Sequence, residues 1–432
     1  MASTPSFIAQ HGAHRIRTID MHTTGEPTRI IYAGYPELQG ATLLAQRAYA
    51  AAQHDALRRA LLLEPRGHRD MYGALLRPRT EHTISDNAHM GVLFLTNAGY
   101  STMCGHATLA LGRMLVDCDD AAIFPQRGAL VVDEARREVE VRLHAPCGVV
   151  RVTVPVVLRD AGADAEGTGT PKWRADPTRP VCYLSVPSFA TGLDAAVSVS
   201  PALRWAELAA SSGSPDAAAA ATVTADVAYG GAFYLLVRAS ALGFPSDALA
   251  TVARTRDGLA RLEAAATALT AAFNRDEGLR ARYLRHPDSG ADRGGEAAAL
   301  EFLYGVIITD DSEAGGAGKG GEGEVGEETG LCVFAARQID RSPTGSGVQA
   351  RVAAAVARGT RQLGQRWRYQ SVVSVGAGGE GAFVGRAVEE ADEVVVQGRK
   401  AVRVEVEGRA WYMGAAEWVL EDGDVVGRGF EV

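Results

Sequence analysis

The sequence predicts an α/β fold of the α+β kind. Short β-branched runs recur along the chain, amphipathic helical patterns are few, and stretches of small residues interrupt both. The strand-like runs are residues 149–158 (VVRVTVPVVL), 234–237 (YLLV), 302–308 (FLYGVII) and 401–406 (AVRVEV). Their short length and β-branched content fit strands. One helical pattern covers residues 55–63. A second follows Cys104, with Ala107, Leu111, Met114 and Leu115 at i, i+4, i+7 and i+8. A third follows Thr344, with Val348, Val352, Ala355 and Val356 at the same offsets. That spacing gives each helix an apolar face. Residues 251–273 read as a longer amphipathic helix.

Composition narrows the function classes. The chain has 432 residues, enough for two or three domains. Hydrophobic residues make up 47% and charged residues 22%, which excludes wholesale disorder. The net charge is 44 − 52 = −8, which argues against nucleic acid as the main partner. Five cysteines, an odd number with no C-x-x-C pair, predict free thiols rather than disulfides or a zinc cluster. No uncharged apolar run approaches the roughly 18 residues that a membrane helix needs. The first 20 residues lack the apolar run of a signal peptide. Their two arginines, with no acid before Asp20, give weak support to a mitochondrial presequence.

Glycine is the outlier at 49 residues, about 11% of the chain against an average of about 7%. A good part of the excess falls in segments that read as insertions: residues 160–170, 209–221, 288–296 and 311–330. The last (DSEAGGAGKGGEGEVGEETG) is expected to be a mobile surface loop, because such composition buries too little surface to offset ordering.

The second and third helices share an entrance. One reads Met103-Cys104-Gly105-His106 and the other Pro343-Thr344-Gly345-Ser346. A helix N-terminus offers unpaired backbone N–H groups and a positive partial charge, so two of them suit a small carboxylate. Cys104 has the setting that favours a thiolate, and is a candidate base or nucleophile; a buried structural thiol is the competing reading. The contexts of Cys118, Cys147, Cys182 and Cys332 point to structural roles. His106 could orient a substrate amine, tune the thiolate, or cap its own turn. Asp340 could pair with an amine or with Arg341. His22 sits in a turn, His22-Thr23-Thr24-Gly25-Glu26-Pro27, and is read as structural.

Eight stretches extend these motifs: residues 20–29 (DMHTTGEPTR), 64–73 (EPRGHRDMYG), 97–112 (NAGYSTMCGHATLALG), 186–189 (VPSF), 226–234 (DVAYGGAFY), 302–310 (FLYGVIITD), 338–351 (QIDRSPTGSGVQAR) and 408–417 (GRAWYMGAAE). In kind and order they resemble the proline racemase family, which includes hydroxyproline epimerases and trans-3-hydroxy-L-proline dehydratases. The resemblance implies a diaminopimelate-epimerase-like fold. Two pseudo-symmetric lobes would each wrap a β-sheet around a central helix, with the active site in the cleft between. It suggests an N-terminal lobe of residues 15–195 plus 370–432 carrying Cys104, a C-terminal lobe of 196–369 carrying Asp340 and Thr344, and 311–330 as a mobile insertion.

Family racemases resemble a clamp that needs no cofactor, with two cysteines facing the α-carbon from opposite sides. The first corresponds to Cys104. The second belongs to a Ser-Pro-Cys-Gly motif, read here as Ser342-Pro343-Thr344-Gly345. Threonine cannot serve as a base at neutral pH, so Thr344 counts against racemisation and matches the dehydratase branch. Ala107 stands where the family often has glycine. The resemblance assigns catalysis to Cys104 and Thr344. It assigns carboxylate binding to the backbone of Gly105, His106, Gly345 and Ser346, and the ring ammonium to Asp340 assisted by His106.

The expected activity is cofactor-independent dehydration of trans-3-hydroxy-L-proline to pyrroline-2-carboxylate, by a hydro-lyase. The alternatives are a 4-hydroxyproline 2-epimerase or proline racemase, and a non-catalytic ligand-binding relative. The intact Cys104, His106 and Asp340 argue against the last. No metal, nucleic acid or membrane partner is expected. A cytoplasmic homodimer is.

Overall fold

The computed structural model describes residues 5–9, 14–158, 173–211, 220–287, 297–311 and 323–431. Segments 160–170 and 288–296 lie outside these residues, as do 212–219 and 312–322 from the other two insertion-like stretches. Among the described residues no helix is long and apolar enough to cross a membrane.

The chain divides into two compact units. The first comprises Met1–Thr102, His106–Tyr183 and Arg409–Val432; the second comprises Met103–Gly105 and Leu184–Gly408. This moves two expected boundaries. The strands Phe383–Val396 and Arg399–Gly408 stay in the second unit, because they continue a ladder that begins at Arg366–Gln370. Only Trp411–Leu420 returns to the first unit, where it pairs antiparallel with His14–Thr23. Cys104 belongs by its packing to the second unit, although the helix that follows it lies in the first.

Among the described residues, eight strands of the first unit pair in one continuous series. Their spatial order is Trp411–Leu420, His14–Thr23, Glu26–Ala33, Gly73–Arg77, Met90–Leu95, Glu138–Ala145, Gly148–Leu158 and Trp173–Ala175. Successive pairings run antiparallel, antiparallel, parallel, antiparallel, parallel, antiparallel, antiparallel. The second unit orders its strands Phe189–Val199, Ala221–Tyr229, Phe233–Arg238, Leu303–Thr309, Glu324–Phe334, Arg366–Gln370, Phe383–Val396 and Arg399–Gly408. The polarity pattern is identical. In both units the fifth strand pairs with a two-residue strand, Tyr100–Ser101 or Gln338–Ile339, immediately before a helix. That helix is Gly105–Asp117 in one and Gly345–Ala357 in the other. It supplies the crossover that a parallel pairing requires. The sequence hinted at this repeat through two helix entrances; the strand polarities make it explicit.

Each crossover helix is buried within its unit. Gly105–Asp117 is buried on nearly every face. At its C-terminal end Asp117 accepts the Ala175 N–H at 2.8 Å and the Tyr412 hydroxyl at 2.9 Å. Those partners sit on the last and first strands of the order, so the sheet curls round the helix. Gly112 permits the contact, since a Cβ there would lie 2.5 Å from Val152 Cγ1. In the second unit every residue from Gly345 to Ala355 is buried. A Cβ on Gly230 would lie 2.2 Å from the Ser346 carbonyl oxygen, so only glycine lets the strand turn meet the helix backbone.

The strand Glu324–Phe334 corrects the loop expectation. Its first half is rich in Glu and Gly, yet it pairs parallel with Arg366–Gln370. Arg368 lies 3.6 Å from Glu324, so the acidic run meets a basic strand edge, and cross-strand context overrides composition. Further along, Glu328 is buried between two guanidiniums, Arg351 at 3.1 Å and Arg361 at 3.3 Å. Desolvation pushes Glu328 up, but the two arginines outweigh it and hold its carboxyl below its ordinary value. Arg361 also donates to the Tyr369 hydroxyl at 2.8 Å, and Arg351 lies over the Tyr369 ring at 4.6 Å. Glu328→Gln removes the carboxylate that both guanidiniums share. It is expected to cost about 3–5 kcal/mol in chemical denaturation, the range for removing one partner of a buried pair.

Candidate active site

Two segments flank the start of the second unit's helix. Gln338–Ile339 ends the small hairpin, and Thr344 begins the helix. The intervening Asp340–Pro343 turn is held from several sides. The Ser342 N–H donates to Asp340 Oδ1 at 2.7 Å, and the Thr344 N–H to Ser342 Oγ at 3.1 Å. Ser371 Oγ donates to the Arg341 carbonyl at 2.5 Å, and Arg351 to the Pro343 carbonyl at 3.1 Å. The buried Arg351 therefore fixes the helix entrance as well as its interior.

Thr344 has φ +64° and ψ +86°, the left-handed region, which is unusual for a β-branched residue. Its carbonyl accepts the Val348 N–H at 2.7 Å, so the N–H groups of Gly345, Ser346 and Gly347 precede the first helical bond. Ser346 Oγ is already engaged with the Tyr234 hydroxyl at 2.7 Å. Its backbone N–H, rather than its side chain, is the group suited to a ligand. Tyr234 carries no role in the sequence reading; its motif (DVAYGGAFY) flagged the segment without saying what the ring does.

Asp340 is buried, and desolvation raises its carboxyl to about 6. Bonds from the Ser342 hydroxyl, the Thr344 hydroxyl and the Ser342 N–H oppose the rise without cancelling it. The Thr344 hydroxyl is thus a partner of Asp340. A buried carboxylate that lacks a full counter-charge is a receptor for a cation.

At the other entrance Cys104 is 4% exposed. The segment Met103–Gly105 packs into the same unit as Asp340, Thr344, Gly345 and Ser346, although 240 residues separate Cys104 from Thr344. His106 lies in the first unit and is 2% exposed. Its carbonyl accepts the Thr23 hydroxyl at 3.0 Å, and its imidazole meets the Tyr72 ring edge-on at 4.7 Å. Burial lowers its pKa to about 3, against a bond to the Pro27 carbonyl. The imidazole is therefore neutral and can accept an N–H but not supply a charge. Thr23 and Tyr72 are the residues that the sequence reading missed here. His22 accepts the Gly25 N–H at 3.2 Å, a turn contact consistent with a structural role.

Of the other thiols, Cys332 lies beside the site, where its carbonyl accepts the Asp340 N–H at 3.1 Å. Cys332 is buried in a central strand, and desolvation pushes Cys118 up and Cys147 up to about 12. The second unit also holds a cavity of about 420 Å³ at the far end of its helix, near Ala354, Ala355 and Arg358. It contains none of the predicted site residues, and Arg358 in it is already paired with Asp194 and Asp226.

The family model for proline racemase matches residues 18–202 and 214–431. The chain belongs to the proline racemase family. A Mus musculus protein named trans-L-3-hydroxyproline dehydratase is 41% identical over 418 residues, 96% of this chain and 94% of that one. A Burkholderia multivorans protein named 3-hydroxyproline 2-epimerase is 33% identical, over 96% and 98% of the two chains. The solved hydroxyproline epimerase of Agrobacterium vitis, with bound trans-4-hydroxy-L-proline, shares the fold. Its TM-score is 0.70 at 21% identity, over 98% of this chain and 97% of that one.

The neutral state of His106 is directly measurable. Its imidazole resonances, assigned by comparison with His106→Gln, are expected to stay constant between pH 8 and pH 5. A titration midpoint inside that range would overturn the assignment.

Proposed function

We propose that this chain is a hydro-lyase that dehydrates trans-3-hydroxy-L-proline to pyrroline-2-carboxylate. The observation that carries the reading is Thr344. It occupies the position of the family's second cysteine, and its hydroxyl is directed to Asp340. One thiol therefore has to suffice, and the chemistry must need only one.

Dehydration of this substrate meets that condition. In trans-3-hydroxy-L-proline the 3-hydroxyl and the carboxylate lie on opposite ring faces, and so do the α-hydrogen and the carboxylate. The hydrogen and the leaving hydroxyl therefore share a face. In our scheme the Cys104 thiolate takes the α-proton, and the electron pair is stabilised by the carboxylate. The N–H groups of Gly105, His106, Gly345 and Ser346 hold that carboxylate where negative charge builds up. The Cys104 thiol then returns its proton to the departing hydroxyl, so the C3–O bond breaks and water leaves. The enamine tautomerises to the cyclic imine. Burial keeps the thiolate from bulk water (Cys104 4% and Thr344 5% exposed).

Asp340 binds the ring ammonium in this scheme. Its raised pKa makes the carboxylate the more responsive to that cation, and neutral His106 contributes an acceptor nitrogen. Thr344 orients Asp340 and closes the face opposite the thiol. A cytoplasmic homodimer completes the reading on the family resemblance alone.

Cys104→Ser is expected to lower kcat for dehydration by about 10²–10⁴-fold, the usual worth of a general acid–base group. Thr344→Cys is expected to keep dehydration and to gain α-proton exchange in deuterated water with L-proline. Substantial turnover in Cys104→Ser would sink the one-thiol scheme, and efficient epimerisation by the wild type would favour the epimerase reading.

The acid limb of kcat/KM reports the free enzyme. Protonation of Asp340 removes the receptor for the ammonium, so kcat/KM should fall as pH drops through about 6, mainly through KM. Asp340→Asn should abolish that limb and leave a high, pH-independent KM.

A further inference from the structure

We propose that Glu81, His82 and His144 in the first unit form a binding site for one first-row divalent cation of the zinc class. The site lies outside the catalytic residues above and does not depend on their roles. Glu81 and His82 are adjacent on the one-turn helix Glu81–Ile84, and His144 lies near the end of the strand Glu138–Ala145. Each offers one ligand atom, and the three atoms lie within 4.8 Å of one another. Among the described residues no other group of His, Cys, Asp and Glu does this. The 62-residue gap between His82 and His144 hides the cluster from any motif search.

The distances suit a metal. Ligands about 2.0–2.1 Å from a tetrahedral zinc ion stand about 3.4 Å apart. His144 Nε2 and Glu81 Oε1 are separated by 3.6 Å. The His82 ring meets the His144 ring edge-on, with centroids 4.4 Å apart, so a small side-chain rotation brings its nitrogen into the set.

The supporting shell is that of a ligated site. His144 Nδ1 pairs with Thr80 Oγ1 at 2.9 Å, which leaves Nε2 for the cation. Glu81 Oε2 accepts the Leu43 N–H at 2.9 Å, which leaves Oε1 on the same side. Outer partners of this kind fix ring orientation and carboxylate direction in metal centres. Thr80 is itself locked, because it forms a capping box with Thr83. The Glu81 side chain is 35% exposed and that of His144 5%, so the cation would enter from the solvent side and keep room for water. Two imidazoles and one carboxylate match the nitrogen and oxygen donors that zinc and cobalt prefer. A bound ion would clamp the short helix to the strand.

The test uses the full chain, freed of metal by a chelator and then dialysed against Zn²⁺ or Co²⁺. Wild type should retain about one ion per chain, show a thermal midpoint raised by several degrees, and lose both in Glu81→Gln and His82→Ala. Glu81→Gln keeps an acceptor for the Leu43 N–H, so metal-free stability should be unchanged. The cobalt form should show visible bands without the near-ultraviolet band of cobalt–thiolate bonding, which excludes the five cysteines. Failure to retain an ion, a thiolate band, or unchanged uptake in both variants would each overturn the site.

Discussion

A helix enclosed by its own sheet keeps unpaired backbone donors only at its N-terminal end, and both units are built under that constraint. Their sides are closed by the sheet: a Cβ on Gly112 would meet the Val152 side chain, and one on Gly230 would meet the backbone of the other helix. The C-terminal end of Gly105–Asp117 is spent on structure, since Asp117 ties the outermost strands together. The N-terminal ends keep the backbone donors. The second helix adds Arg351, whose charge is neutralised by Glu328 and whose guanidinium also holds Pro343. Packing and chemistry thus share one element, and the ion pair that stabilises the unit also shapes the entrance to the helix.

The parts legible in the sequence were those with a local cause. Helix patterns after Cys104 and Thr344 follow from apolar spacing, and the helices start at Gly105 and Gly345. The sheet orders were not legible, because pairing is set by partners far along the chain. The strand Glu324–Phe334 shows why: its Glu- and Gly-rich first half becomes a strand only opposite Arg366 and Arg368. The same holds for the return to the first unit. Nothing in residues 370–408 distinguishes a strand that stays from one that leaves; the ladder from Arg366 to Gly408 decides it.

The candidate site divides in the same way. Residue types and their motif order pointed to Cys104, His106, Asp340 and Thr344, but their states depend on burial. The sequence leaves three roles open for His106, and burial makes its imidazole neutral. Asp340 reads as an ordinary acid until desolvation lifts it to about 6. Tyr234 and Thr23 were invisible as site residues, since their roles are single hydrogen bonds to Ser346 and to the His106 carbonyl.

Thr344 shows how the turn and the chemistry are linked. A β-branched residue at φ +64° is costly and persists only where its surroundings over-determine it. Here the over-determination is visible. Ser342 Oγ takes the Thr344 N–H, Arg351 holds the preceding carbonyl, Ser371 holds the one at Arg341, and the Thr344 hydroxyl joins Asp340. In that conformation the Thr344 carbonyl accepts the Val348 N–H, so the N–H groups of Gly345, Ser346 and Gly347 precede the first helical bond. A thiol at this position would be a weaker donor to Asp340 and a far better base. On the proposed reading, the exchange of sulfur for oxygen would do two things at once: strengthen the hold on Asp340 and leave one base where racemisation requires two.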